Sequence, residues 1–152
     1  MSCTALQQLL DPSNADFEVC FSTSSAAQEH GKKFRFENNG MKAICRVKVD
    51  GCLITSQQTK KCDYLFAVRE DKAYYLVELK GINIDNAVAQ IIQTFDIVNA
   101  KVKATPLSYT GVIVSSSVPA AAEQRFRRLQ EKVYREKHLR IKKTHVHHIE
   151  RI

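Results

Sequence analysis

The pair of segments Cys62 to Arg69 and Ala73 to Leu79, joined by Glu70 and Asp71, constrains the fold of this chain most. Both are rich in Tyr, Phe, Val and Leu, so they read as the two arms of a β-hairpin. With Glu70 and Asp71 as the turn, Arg69 pairs with Lys72, and counting outward brings Asp63 opposite Glu78. Any even-length turn centred there gives the same register. Directly opposed residues share a face with Cβ atoms about 5 Å apart, where like charges destabilise the pair.

Something must offset that repulsion. Lys80 follows Glu78 by two residues and points to the same side of an ideal strand, and a divalent cation between the carboxylates would remove the rest. On the acid-bearing face the hairpin also presents Leu65, Ala67 and Leu76; the reverse face carries Tyr64, Phe66, Val68, Tyr75, Val77 and Leu79. Strands apolar on both sides are usually central and covered above and below. The acids are therefore expected at one end of a half-dry surface, and perturbed acids in a cleft mark functional sites. Hard oxygen ligands select Mg²⁺ or Mn²⁺ over zinc.

A chain of 152 residues has room for one domain with a sizeable core, read here as spanning 1–152 with its centre over about 34–144. No apolar run is long enough to span a bilayer, and the first residues lack the pattern of a secretory signal, so the expected location is cytoplasmic. Five cysteines without CxxC spacing suggest neither a disulfide framework nor a zinc knuckle, and reduced, buried thiols are expected. The formal charge of +7 is concentrated from Ala120 onward, where ten Lys or Arg face four Glu. That balance suits a phosphate backbone.

No repeat or Pro/Gly-rich linker divides the chain. Leu6, Leu9 and Leu10 predict a short helix stopping at Asp11-Pro12, and Ser22 to His30 a second one ended by Gly31. KKFRF reads as a strand, and AICRVKV and CLI as strands about an Asp50-Gly51 hairpin turn. After the central hairpin the period changes: Ile84, Val88, Ile91, Ile92, Phe95 and Val98 recur at helical spacing, with Asn83 or Asp85 as N-cap. LSYTGVIVSSS gives a further strand. Pro119 then opens a second long helix with Ser117 as a plausible cap and Phe126, Leu129 and Val133 as its core stripe. Arg125, Arg128, Lys132 and Arg135 lie outward on that helix. LRIKKTHVHHI reads as a final edge strand. The order predicts an α/β fold with a central mixed β-sheet flanked by helices.

An Asp on a β-hairpin, then Glu-x-Lys, a helix and another strand resembles the PD-(D/E)XK nuclease superfamily, the fold of restriction endonucleases and Holliday junction resolvases. The likeness covers roughly Ile44 to Ser117, with Cys62 in place of the Pro often found before the Asp. It implies a restriction endonuclease-like core in which Asp63, Glu78 and the backbone carbonyl of Leu79 hold Mg²⁺, while Lys80 orients or activates the attacking water. It also implies a Glu from an N-terminal helix, for which Glu29 and Glu37 are the candidates, and a Gln from the helix after the motif, for which Gln90 is the candidate. Gln90 also fits an ordinary helix flank.

The residues left over carry less. His138, His145, His147 and His148 read as basic surface or nucleic-acid contact rather than a second metal site, and Asp50 as a turn residue. The expected activity is metal-dependent hydrolysis of phosphodiester bonds in DNA, with RNA also open, and the basic helix residues Arg125, Arg128, Lys132 and Arg135 tracking the backbone. Cleavage of both strands would call for a homodimer. The competing expectation is a non-catalytic nucleic-acid-binding or protein-interaction module that keeps the fold.

Overall fold

The computed structural model describes residues 6, 9, 17–81, 83–102 and 106–152. A six-stranded sheet forms its centre. From one edge to the other it contains β1 (Phe21–Ser22), β4 (Ile44–Lys48), β5 (Tyr64–Val68), β6 (Ala73–Gly81), β7 (Ser108–Ser115) and β8 (Leu139–His145). The pairs through β6 are antiparallel, and β6, β7 and β8 run parallel, so the sheet is mixed. Two 18-residue helices, α2 (Ile84–Lys101) and α3 (Ala120–Lys137), make the crossovers into β7 and β8. A short α1 (Phe17–Cys20) precedes β1. The second sheet has three strands in the order β2 (Ala26–Glu29), β3 (Lys32–Glu37), β9 (His147–Arg151).

Alternation along the strands makes two cores. Leu65, Ala67 and Leu76 join Ile84, Val88, Ile91, Phe95 and Val98 of α2 and Phe126 and Val133 of α3 on one face. Phe66, Val68, Tyr75, Val77 and Leu79 meet Phe34 and Phe36 of the small sheet on the other. The result is helices over one side of the central sheet and a second sheet over the other, which is why β5 and β6 are apolar on both faces. Asn83 caps α2, its side chain accepting the Asn86 N–H at 3.1 Å. Gly111 lies where α2 crosses β7, and a Cβ there would meet Ile91 Cγ2 at 2.6 Å. No described helix is long and apolar enough to cross a membrane.

Several expectations are corrected. Ser22 to His30 is not helical: His30 and Gly31 have φ of 50° and 73°, a two-residue turn joining β2 to β3. The serines bond to nearby backbone, Ser24 N–H donating to Ser22 Oγ and Ser24 Oγ to the Ala26 carbonyl. Asp50-Gly51 does turn, but Cys52–Ile54 is no strand, because the Val49 carbonyl gathers the N–H groups of Cys52, Leu53 and Ile54. Ser117 does not cap α3; Pro119 is its N-cap residue, without a side-chain hydrogen bond. The single final strand is two, β8 and β9, in different sheets, split at Val146, whose φ is 64°. Of the first expected helix, Leu6 and Leu9 are buried in the helix-side core, and the stop at Asp11-Pro12 lies outside the described residues.

The reduced cysteines are a further correction. Cys20 and Cys52 form a disulfide, Cys45 is also disulfide-bonded, and Cys62 is the free thiol among the described residues. Pairing of β1 with β4 carries α1 alongside the Asp50–Ile54 turn, a juxtaposition that no spacing in sequence discloses. Disulfides persist in oxidising surroundings, so the cysteines give no support to a cytoplasmic location.

The histidines do not gather. His138 ends α3 in the left-handed conformation, while His145 and His147 are exposed. His148 is buried, stacked on Phe34 with ring centroids 5.6 Å apart. Its Nδ1 lies 2.6 Å from Thr144 Oγ1 and its Nε2 2.8 Å from Glu150 Oε1. Lys142 Nζ donates to the same carboxylate at 3.0 Å. This polar cluster ties β8 to β9.

Two outcomes follow for stability. Opening the Cys20–Cys52 bridge by Cys52→Ser is expected to remove about 2–4 kcal/mol, read as a lower Tm in calorimetry. Burial would raise the Glu150 pKa, yet the hydrogen bonds from His148 and Lys142 outweigh it and hold the group below the usual glutamate value. A depressed folded-state pKa gives stability that is present above the unfolded value, about 4.3, and is lost as pH falls below it. Glu150→Gln should therefore lower Tm at neutral pH and flatten the acid limb of the Tm–pH curve.

Candidate functional site

The ladder between β5 and β6 runs from Val68↔Ala73 to Tyr64↔Val77, the register expected from the turn. Asp63 stands one residue beyond it, in a bend. Its N–H donates to the Val77 carbonyl at 3.0 Å and its own carbonyl accepts Val49 N–H at 2.9 Å. The regular register would continue to Asp63↔Glu78, but the Asp63 N–H bonds to Val77, the residue already paired with Tyr64, so Asp63 departs from strict opposition to Glu78, a local irregularity of the kind that re-aims side chains at strand ends. Asp63 Oδ2 accepts the Leu79 N–H at 2.7 Å. The carboxylate thus rests on the peptide that joins Glu78 to Leu79.

Glu78 is 2% exposed. Leu76 belongs to the helix-side core and Val77 and Leu79 to the other, so Glu78 turns toward α2. Asp63 is half-buried at the surface end. The Lys80 backbone continues β6, and the pairing of β6 with β7 shifts register between Glu78 and Gly81. The Lys80 side chain lies outside the described residues. Among the described residues no group of three or more His, Cys, Asp or Glu side chains is placed to hold a metal ion. An ion here would need backbone and water oxygens beside the two carboxylates, a mixture that Mg²⁺ commonly accepts.

The segment before Asp63 is pinned to α2. Gln90 Nε2 donates to the Lys61 carbonyl at 3.1 Å, and Thr94 Oγ1 accepts the Cys62 N–H at 2.9 Å while donating to the Gln90 carbonyl at 2.8 Å. Gln90 therefore reaches the segment that carries Asp63, as a positioning residue. Thr94 is fully buried and was not singled out from sequence. Its signal was a hydroxyl on an apolar stripe, since Ile91, Thr94, Phe95 and Val98 share one side of α2. Cys62 is fully buried between these groups. Burial pushes its thiol pKa far up; the Thr94 hydrogen bond opposes this, and the fields of Glu78 and Asp63 add to the rise. A thiol so held is inert.

The remaining candidates fall elsewhere. Glu29 accepts the Tyr64 hydroxyl at 3.2 Å, on the small-sheet side of β5. Glu37 pairs with Arg151 at 2.8 Å, and the adjoining Asn38–Lys42 segment is tied to Asp71 in the hairpin turn, the end opposite the acids. Arg125, Arg128, Lys132 and Arg135 are all exposed on α3. Arg125 pairs with Asp85 at 3.5 Å, beside a cavity of about 440 Å³ between the N-termini of α2 and α3. At 1.5 Å per residue, Lys132 and Arg135 stand about 18 and 22 Å further along the helix from its start. They are not brought to the acids.

No protein-family model, curated protein or solved structure matches this chain.

Thr94→Val should leave the buried Cys62 N–H without its acceptor and cost about 1–3 kcal/mol. Chemical denaturation tests this, and Thr94→Ser, which keeps the hydroxyl, should recover most of the loss.

Proposed function

We propose that this chain is a divalent-metal-dependent phosphodiesterase acting on nucleic acid, with a restriction endonuclease-like core as its scaffold. One observation carries the reading: Asp63 Oδ2 is held on the nitrogen of the Glu78–Leu79 peptide, and Glu78 itself is 2% exposed. Two acids placed together at the end of a largely apolar hairpin are unfavourable for folding alone, and a cation between them supplies the compensation. The antiparallel run β4–β5–β6, the crossover α2 and the parallel strand β7 agree in order with that scaffold.

The donor set consists of hard oxygens from Asp63, Glu78 and the Leu79 carbonyl, which suits Mg²⁺ or Mn²⁺. When bound, such an ion lowers the pKa of a water and offsets charge developing on a phosphoryl oxygen. The chain's own residues do the rest. The Leu79 N–H fixes the Asp63 carboxylate, and the ties of Gln90 and Thr94 to Lys61 and Cys62 hold the segment that carries it. Burial of Glu78 excludes water from one side. Lys80, two residues on, is assigned to the phosphate or the attacking water, either as a cation or as a base. Cleavage of both strands of a duplex would take two copies of the chain.

Incubation with labelled single-stranded, duplex and branched DNA and with RNA tests the proposal. Cleavage should require Mg²⁺ or Mn²⁺, stop with EDTA, and fall by about a hundredfold or more in Asp63→Asn and Lys80→Ala. Identical product patterns from wild type and both variants would refute it.

A further inference from the structure

The outer face of the small sheet carries charge that the fold does not explain. Phe34, Phe36, His148 and Glu150 alternate inward and are buried, so Lys33, Arg35, His147, Ile149 and Arg151 face out. The parallel register sets Lys33 beside His147, Arg35 beside Ile149, and Glu37 beside Arg151. Glu37 is the acid of this face, and Arg151 engages it at 2.8 Å. Lys33 and Arg35 make no ion pair among the described residues. Basic residues often guard the edge strands of sheets, but these two sit on β3, the central strand of its sheet. Cations two residues apart on one strand share a face and repel, without benefit to folding.

The small sheet covers the side of the central sheet opposite the one toward which Glu78 turns, and a continuous row of strand ends joins the two sheets at the end that carries the acids. Gly81 pairs with Ser115, Ser115 with His145, the Val146 N–H donates to the Ser115 carbonyl at 3.0 Å, and the Lys33 N–H donates to the Val146 carbonyl at 2.9 Å. At about 4.8 Å per strand, Lys33 begins about 15 Å along that row from the end of β6. Lys132 and Arg135 of α3, by contrast, lead away from the site.

We propose that the outer face of the small sheet, through Lys33, Arg35 and His147, is the surface that binds the phosphate backbone of a nucleic-acid strand. The choice of a polyphosphate partner rests on the phosphodiesterase reading; the placement rests on the sheet register. Lys33 and Arg35 supply the charge a phosphate backbone requires, with Ile149, 43% exposed, beside Arg35 in the register. The basic helix is then a solvated face.

Fluorescence anisotropy with labelled single-stranded and duplex oligonucleotides, in EDTA so that no cleavage intervenes, tests the inference. Lys33→Glu with Arg35→Glu should weaken binding at least about tenfold and reduce the salt slope by about two. Arg128→Glu with Lys132→Glu should bind as wild type does. Circular dichroism and Tm confirm that both double variants fold. Metal-dependent hydrolysis of bis(4-nitrophenyl) phosphate, too small to need the sheet face, should persist in the Lys33/Arg35 variant. Unchanged affinity in that variant, loss confined to the helix variant, failure of the wild type to bind, or equal displacement by polyglutamate would overturn the inference. Intact, Lys33-dependent binding without any hydrolysis would bring down the phosphodiesterase reading alone.

Discussion

The hydrogen bond from the Leu79 peptide nitrogen to Asp63 Oδ2 organises the end of the molecule on which everything functional in this account depends. It replaces a backbone ladder bond with a carboxylate at the point where β5 begins, and it fixes that carboxylate against the Glu78–Leu79 peptide. The arrangement is possible because both flanks are tied down. Thr94 and Gln90 secure the residues before Asp63, and the N–H of Val49, just after β4, meets the Asp63 carbonyl. A carboxylate fixed by one hydrogen bond, on a segment whose backbone is tied to neighbouring elements, loses little freedom when a ligand arrives, the condition for a preorganised site.

The second sheet gives this hairpin its unusual composition. With helices alone, one face of β5 and β6 would meet solvent and carry polar residues. Phe34 and Phe36 cover that face instead, and the aromatic cluster they make with Phe66 and Tyr75 joins the two sheets. The chain passes between them at Val146, where a β-branched residue takes a positive φ that few such residues adopt. The bonds that His148 makes with Thr144 and Glu150 hold the crossing strand in place.

The parts legible in the sequence were those governed by short-range pattern. The hairpin register followed from turn length, the α2 stripe from a 3.6-residue period, and the division of Leu65 and Leu76 from Phe66 and Val77 from strand alternation. What escaped depended on tertiary neighbours. Gly31 reads as a helix stop until His30 beside it adopts a positive φ, which makes both a hairpin turn. Cys20 and Cys52 are separated by 32 residues and meet because β1 lies on β4. LRIKKTHVHHI looks like one strand because nothing local marks Val146 as the place where it changes sheets. At the site, counting residues placed Asp63 opposite Glu78, whereas the bend places its carboxylate on the Glu78–Leu79 peptide, a difference that only coordinates disclose.

The central claim is that Asp63 and Glu78 share a divalent cation. Crystals grown with Mn²⁺ and measured at a wavelength where manganese scatters anomalously address it directly. The account predicts a difference peak bonded to both carboxylates, absent from crystals of Asp63→Asn. A map with no peak between those two side chains, or an ion held by other residues alone, would contradict it.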